Sequence, residues 1–335
     1  LKSINIINQK SDICLNDKEY IMSTDSRFIQ KNDIFIALKG RYSDGHNFLS
    51  QAFNNGASVA IISEKKIFEE SNFPLILVQD TFVALSKISE YNFKDIKSLK
   101  IAITGSVGKT TTKDYLKNVL SYYEPTFAAP ESFNNELGIA LSKAKISKLD
   151  KYAIFEVGMN MKNEISNLSK LINPDIAIIT NIGEAHIGNL GSKKNIAIEK
   201  SNIIDGMSNS GIVLLPRDSD YFELLQKKTL AKNLRSITFG YSNKSDIQIS
   251  KITRDKGRVF VEFSVFGKVF EAYSNMQNIS IINNYLPVLG IAHILNYDLN
   301  EVLKNIIKSN VHKSRWQEFD FELDKGHVKL IDDTY

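Results

Sequence analysis

The stretch that most constrains the fold runs from Lys100 to Tyr123. "KIAIT" is a short apolar strand, and "GSVGKTTT" carries it through a glycine turn into a helix near 109–123. The same rhythm continues downstream. "YAIFEV" (152–157), "DIAIIT" (175–180) and "GIVLLP" (211–216) are apolar runs of strand length, separated by helical stretches near 163–172, 192–207 and 219–231. Continuous apolar strands alternating with helices predict a mostly parallel sheet covered on both faces.

The flanks read differently. Residues 1–97 form a small α/β unit, with strands at "DIFIAL" (33–38), "VAIIS" (59–63) and "FPLILVQD" (73–80) and a helix over 46–57 stopped by Gly56. The polar "DIKSLK" places a boundary near residue 97. After 235 the pattern is β-rich. A hairpin is expected around Gly267 (257–274), then helices near 281–296 and 299–309, then the strand-like "SRWQEFDFEL" and "HVKLIDDTY". At 335 residues the chain exceeds one ordinary core, so the expectation is an α/β protein with one domain over 1–97 and a central domain over 98–330.

Charge narrows the function. The net charge of +4, from 42 basic and 38 acidic residues, comes from scattered lysines, which argues against a nucleic-acid partner. No apolar run approaches the roughly 18 residues of a membrane span, so no insertion is expected. The single cysteine, Cys14, cannot make an internal disulfide, and a reducing, cytoplasmic location fits.

The glycine turn has its own chemistry. Successive backbone N–H groups there form an anion nest, and the helix start adds partial positive charge. Gly105, Ser106, Val107, Gly108, Lys109, Thr110 and Thr111 are the candidate nucleotide-binding residues. Lys109 is expected at the β/γ-phosphates and the Thr110 hydroxyl on Mg²⁺. The loop is a short GxxGKT form, because Ile103 stands where the general pattern has its first glycine. Glu156 ends one predicted strand and His186 lies just past another. Ligands in an open parallel sheet bind outside the strands' carboxyl ends, so both are candidate metal ligands.

"TGSVGKTTT" resembles the ATP loop of the Mur ligases, which build the peptide of bacterial cell-wall precursors. "STDSRFIQKNDIFIALKGRYSDGHNF" (23–48) is similar to their UDP-sugar-binding domain. "SFNNELGIAL", "FEVGMNMKNEI" and "TNIGEAHIGNLGS" resemble the branch that adds D-alanyl-D-alanine. The resemblance implies ATP, two Mg²⁺ sites, and UDP-MurNAc-tripeptide and D-Ala-D-Ala as substrates of a monomeric ligase.

It also implies residue roles. Lys200 matches a lysine that becomes carbamylated and holds metal with Thr110, Glu156 and His186. Asn284 matches an adenine-site asparagine, although Ser280 and Ile281 replace the usual His-Asn pair. Arg315 matches a phosphate-facing arginine and Asp333 a ribose-side hinge aspartate. Lys109, His186, Lys200 and Arg315 form the implied catalytic set. Ser26, Arg27, Lys39, Asp44, Gly45 and His46 match the uridine end, and Asn134 and Asn135 the substrate side. "LIDDTY" matches the start of the family's hinge, so 331–335 is expected to lead toward a C-terminal domain beyond this chain. The competing expectations are a binding module without turnover and a sibling or folylpolyglutamate-type ligase.

Overall fold

The computed structural model describes residues 4–10, 20–40, 42–255, 258–274, 279–309, 317–323 and 326–332. Two compact units result. One comprises Leu1–Lys97 with Asn135–Leu149, the other Ser98–Asn134 with Asp150–Tyr335.

The first unit is built on a five-stranded sheet of β1 (Ile6–Gln9), β2 (Met22–Ser23), β3 (Ile34–Ile36), β4 (Val59–Ile62) and β5 (Leu75–Val78), in the order β1-β5-β4-β3-β2. β2 to β5 are parallel and β1 is antiparallel to β5. The buried runs of β3, β4 and β5 supply the core, with Phe35, Ile62 and Leu75 fully inaccessible. The helix Thr81–Lys94 is missing from the sequence reading. Asp80 caps it by accepting from Val83 N at 2.9 Å, and Ala84, Leu85 and Ile88 form its buried stripe. That cap and spacing were the available signal. The helix Glu136–Lys145 packs on it within the same unit.

The second unit holds a nine-stranded sheet of β6 (Leu99–Thr104), β7 (Thr126–Ala128), β8 (Tyr152–Glu156), β9 (Ile176–Ile179), β10 (Ile212–Pro216), β11 (Arg235–Gly240), β12 (Ile247–Asp255), β13 (Arg258–Val265) and β14 (Lys268–Ser274). The order is β14-β13-β12-β11-β10-β9-β6-β8-β7. Every pairing from β7 to β12 is parallel, and β12-β13-β14 is an antiparallel meander turning at Phe266 and Gly267. β15 (Gln317–Leu323) and β16 (Gly326–Asp332) form a separate hairpin.

Two helices differ from expectation for local reasons. The helix expected over 192–207 ends at Ser201 and tightens into a 3₁₀ turn at Asn202–Ile204. The one expected over 281–296 is split into Ile279–Ile282 and Tyr285–Ile294. Pro287 has no N–H to bond residue 283, and its ring excludes a helical carbonyl there, so the helix restarts with proline in its first turn.

Strand order fixes where ligands can bind. β6 is flanked by β8 on one side and β9 on the other, so the chain changes direction of winding at β6. A crevice forms outside the carboxyl ends of strands at such a switch point. The loops leaving β6 and β9 carry Gly105–Gly108 and Thr180–His186 to that edge, where Glu156 ends β8.

Candidate nucleotide and metal site

The helix Lys109–Tyr123 begins at Gly108, whose φ of 83° is left-handed and unfavourable for any residue with a Cβ. A side chain at Gly108 would also strike Asn284 Oδ1, and one at Gly105 would strike the Thr180 hydroxyl. Gly108 is therefore required by backbone conformation and by close approach, and Gly105 by close approach alone. Lys109 Nζ donates to Gly105 O at 3.0 Å, folding back over the loop it would use to meet a phosphate.

Thr110 and Glu156 meet as the sequence predicts. Thr110 Oγ1 donates to Glu156 Oε2 at 2.8 Å, and Asn134 Nδ2 donates to Oε1 at 3.4 Å. Glu156 is only 5% exposed, and among the described residues no ion pair reaches it. A buried carboxylate without a cationic partner is costly, and a hydroxyl oxygen beside it completes a hard-donor pair. These residues fit Mg²⁺.

His186 and Lys200 lie within electrostatic reach of Lys109. Burial lowers the His186 pKa, and the Lys200 and Lys109 charges lower it further, against an opposing effect of Glu164. Lys200 is 2% exposed, and burial pushes its amine down to about 7, aided by Lys109 and opposed by Glu199. Glu199 is anchored elsewhere, accepting from Asn163 N at 2.9 Å and Ile165 N at 3.0 Å. A buried lysine held near neutrality is suited to reaction as a free amine.

Beside the loop lies a cavity of about 480 Å³. Its apolar walls include Pro216, Phe239, Ile281, Leu286 and Pro287, and Val107, Gly108 and Thr111 form its phosphate-loop edge. The size and lining suit a planar base. Asn284, the expected adenine-site residue, lines this cavity with its amide engaged by protein partners. Its Oδ1 accepts from Thr112 Oγ1 at 3.3 Å, and its Nδ2 donates to Ser280 O and Ile281 O. The neighbouring Asn283 is held differently, with Oδ1 accepting from the Tyr241 hydroxyl at 2.5 Å while both residues line the cavity. Asp218 completes that wall, accepting from Tyr241 N and Ser242 N. Sequence reasoning passed over Tyr241 and Asp218. The only available signal was that Asp218 follows a strand's carboxyl end.

The first unit gathers the residues matched to the uridine end. Ser26 Oγ donates to Gln51 Oε1 at 2.7 Å, and exposed Arg27 forms a two-point pair with Asp25 (2.9 and 2.6 Å). Lys39 pairs with Glu64 at 3.1 Å. His46 is buried and has both ring nitrogens engaged: Nε2 accepts from Ser63 N at 3.0 Å, so Nδ1 donates to Asp44 Oδ1 at 2.6 Å. That locks the 44–46 turn and leaves the ring no nitrogen for a ligand. Gly45 sits against Leu38, where a Cβ would meet backbone. Asn135 caps the helix Glu136–Lys145, accepting from Gly138 N at 2.8 Å. Arg315 and Asp333 lie outside the described residues.

Comparison with known proteins gives the family. Residues 103–292 match the Mur ligase middle domain, and residues 19–97 match the Mur ligase family catalytic domain. A UDP-N-acetylmuramoyl-tripeptide–D-alanyl-D-alanine ligase of Rickettsia prowazekii is 34% identical over 91% of this chain and 65% of its own length. The chain thus spans just under two thirds of that relative. A crystal structure of MurF from Acinetobacter baumannii aligns with a TM-score of 0.82 at 28% identity, over 97% of this chain and 69% of the other. MurF of Thermotoga maritima, solved in complex with ADP, aligns with a TM-score of 0.77 at 25% identity, over 94% and 71% of the two chains.

Proposed function

The chain belongs to the Mur ligase family, and from that premise we propose that it carries the nucleotide site of an ATP-dependent ligase joining D-alanyl-D-alanine to UDP-MurNAc-tripeptide. The observation that supports this most is the buried Glu156 carboxylate bonded to the Thr110 hydroxyl at the phosphate loop. That pair makes sense beside a magnesium nucleotide and is costly without one.

In the proposed reaction the terminal carboxylate of the tripeptide attacks the γ-phosphorus. The β–γ bridging bond breaks and ADP departs with its electrons. The amine of D-Ala-D-Ala then adds to the acyl carbon and gives up a proton, and phosphate leaves as the amide forms. A carboxylate is a poor acyl donor, which is why ATP is consumed.

Lys109 would exchange its bond to Gly105 O for the β/γ-phosphates and stabilise their charge. Thr110, Glu156 and His186 would hold Mg²⁺, which supplies charge neutralisation at the phosphates when bound. Asn283 and Tyr241 would face the base. Arg27, Ser26 and Lys39 would serve the sugar nucleotide, with Asn134 positioning Glu156. The cytoplasm is the proposed location of the reaction. Carbamylation of Lys200 is the narrower part of the proposal, supported by the amine's burial and near-neutral state, and by the gain of two anionic oxygens beside a hard cation. Its test is a carbamate resonance after ¹³C-bicarbonate labelling, lost in Lys200→Ala.

The test of function is phosphate release by the product of the complete reading frame, with UDP-MurNAc-tripeptide, with and without D-Ala-D-Ala. Release that requires both substrates is the expected result. Release indifferent to both would overturn the substrate assignment.

A further inference from the structure

The phosphate loop has only two residues between its glycines, Ser106 and Val107. Each is bonded to the segment that follows β9. Asn181 Oδ1 accepts from Ser106 N and from Val107 N, both at 2.9 Å. Ser106 N also reaches the Asn181 main-chain oxygen at 3.3 Å. Bonds run in the other direction too, with Thr180 Oγ1 donating to Val107 O at 2.6 Å and Gly183 N to Ser106 Oγ at 2.8 Å.

We infer that Asn181 is a positioning residue for nucleotide binding: its carboxamide braces the short phosphate loop and ties it to the segment carrying His186. The inference rests on the nucleotide reading above. A longer phosphate loop has enough residues to close around an anion with its own backbone, whereas a two-residue span does not. Here the neighbouring loop supplies the closure, and the short GxxGKT spacing is tolerated because Asn181 stands beside it.

An alternative role for Asn181 Oδ1 is as a stand-in for a phosphate oxygen, released when nucleotide arrives. The surrounding bonds oppose it. Ser106 N is also held by the Asn181 main chain, which cannot leave without moving the end of β9. The Thr180 and Gly183 bonds engage the loop's own acceptors, which a phosphate cannot replace. The brace also has a consequence for metal. Thr180, Asn181, Gly183 and His186 lie on one short connection, and His186 occupies a left-handed conformation (φ 67°) at the start of the turn Ile187–Leu190. Slack at Asn181 therefore reaches both the phosphates and the proposed metal ligand.

The test compares Asn181→Ala and Asn181→Asp with the unaltered protein. Calorimetry measures Mg·ATP and adenosine, and hydrogen exchange follows the Ser106 and Val107 amides. Asn181→Ala should weaken Mg·ATP on the order of 10- to 100-fold, the scale of two lost hydrogen bonds. Adenosine should lose less affinity than Mg·ATP, because Asn181 lines only the phosphate-loop side of its cavity, whose other walls are Pro216, Phe239, Leu286 and Pro287. Amide protection should disappear in Asn181→Ala and persist in Asn181→Asp, which keeps the acceptor. Mg·ATP binding as tight as, or tighter than, that of the unaltered protein in Asn181→Ala would overturn the brace and favour the stand-in. If the alanine variant fails to fold, unprotected amides in Asn181→Asp overturn it instead. Failure of the unaltered protein to bind Mg·ATP would sink the nucleotide reading, while the exchange measurement would still judge the brace.

Discussion

Replacing Lys200 by methionine should remove a pH dependence that the buried amine imposes on folding. The Lys200 pKa falls from the ordinary 10.5 to about 7, first through burial and then through the charge of Lys109, with Glu199 opposing. At about 1.36 kcal/mol per pH unit, that drop corresponds to about 5 kcal/mol of destabilisation when both folded and unfolded states are protonated. The sign is the reverse of a lysine that gains a partner. Between pH 7 and 10.5 the unfolded chain binds the proton and the folded chain does not, so stability rises with pH across that window. Methionine fills much of the same volume and carries no proton. Urea unfolding of both proteins in bicarbonate-free buffer is the assay, so that no carbamate forms. The stability advantage of Lys200→Met should shrink by about 2 kcal/mol from pH 7 to pH 9, somewhat less than two full pH units' worth because the folded amine is half protonated at pH 7. Other titrating groups largely cancel in the difference. His186 gives an internal check, because Lys200 helps to lower its pKa. Its imidazole resonance should titrate at higher pH in the variant. A stability difference that stays constant from pH 6 to 10 would refute the reasoning, since the amine would then not be held neutral by burial.

Lys109→Ala should abolish binding of magnesium nucleotides while leaving the thermal midpoint within a few degrees, because Lys109 Nζ donates to loop backbone at Gly105 O. Glu156→Gln keeps a group for Thr110 to bond but removes the charge, so Mg²⁺-dependent nucleotide affinity should fall about 10- to 100-fold by calorimetry. Gly105→Ala drives a methyl into the Thr180 hydroxyl and should cost about 1–3 kcal/mol in urea unfolding, with loss of nucleotide binding. Asn283→Ala should raise the Kd for ADP with little change in stability. Asn284→Ala should instead lower stability by about 1–2 kcal/mol, because it strips partners from Thr112 and the Ser280 and Ile281 carbonyls.

The parallel sheet and its loop were legible because both signals are local. An apolar run followed by GSVGKTTT needs no distant residue to be read as strand, turn and helix, and β6 with the helix Lys109–Tyr123 lies where that pattern puts them. The Thr110–Glu156 contact was legible at one remove, since a residue ending a parallel strand must sit at the same sheet edge as the loop. Asn181 was not. Its role depends on β9 lying against β6, and strand order is set by packing between elements far apart in sequence. The split at Asn283–Asn284 was partly legible, because Pro287 forbids the helix from running through. The helix Thr81–Lys94 went unread although Asp80 marks its start.

Two asparagine doublets show where residue type stops being informative. In each, the chemistry suggested is an amide that can donate and accept, and in each the two neighbours are put to different use. Asn134 reaches the Glu156 carboxylate, while Asn135 accepts from Gly138 N and starts a helix. Asn284 is consumed by Thr112 and by carbonyls of the preceding turn, while Asn283 meets the Tyr241 hydroxyl at the cavity. An element boundary passes through both doublets. A side chain that caps or clamps a boundary has its polar atoms engaged by neighbouring backbone and side chains, so its ability to bind something else depends on which side of the boundary it falls. Sequence places such a boundary only to within a residue or two. The doublet marks the neighbourhood of the site, and only the backbone path determines which asparagine serves it.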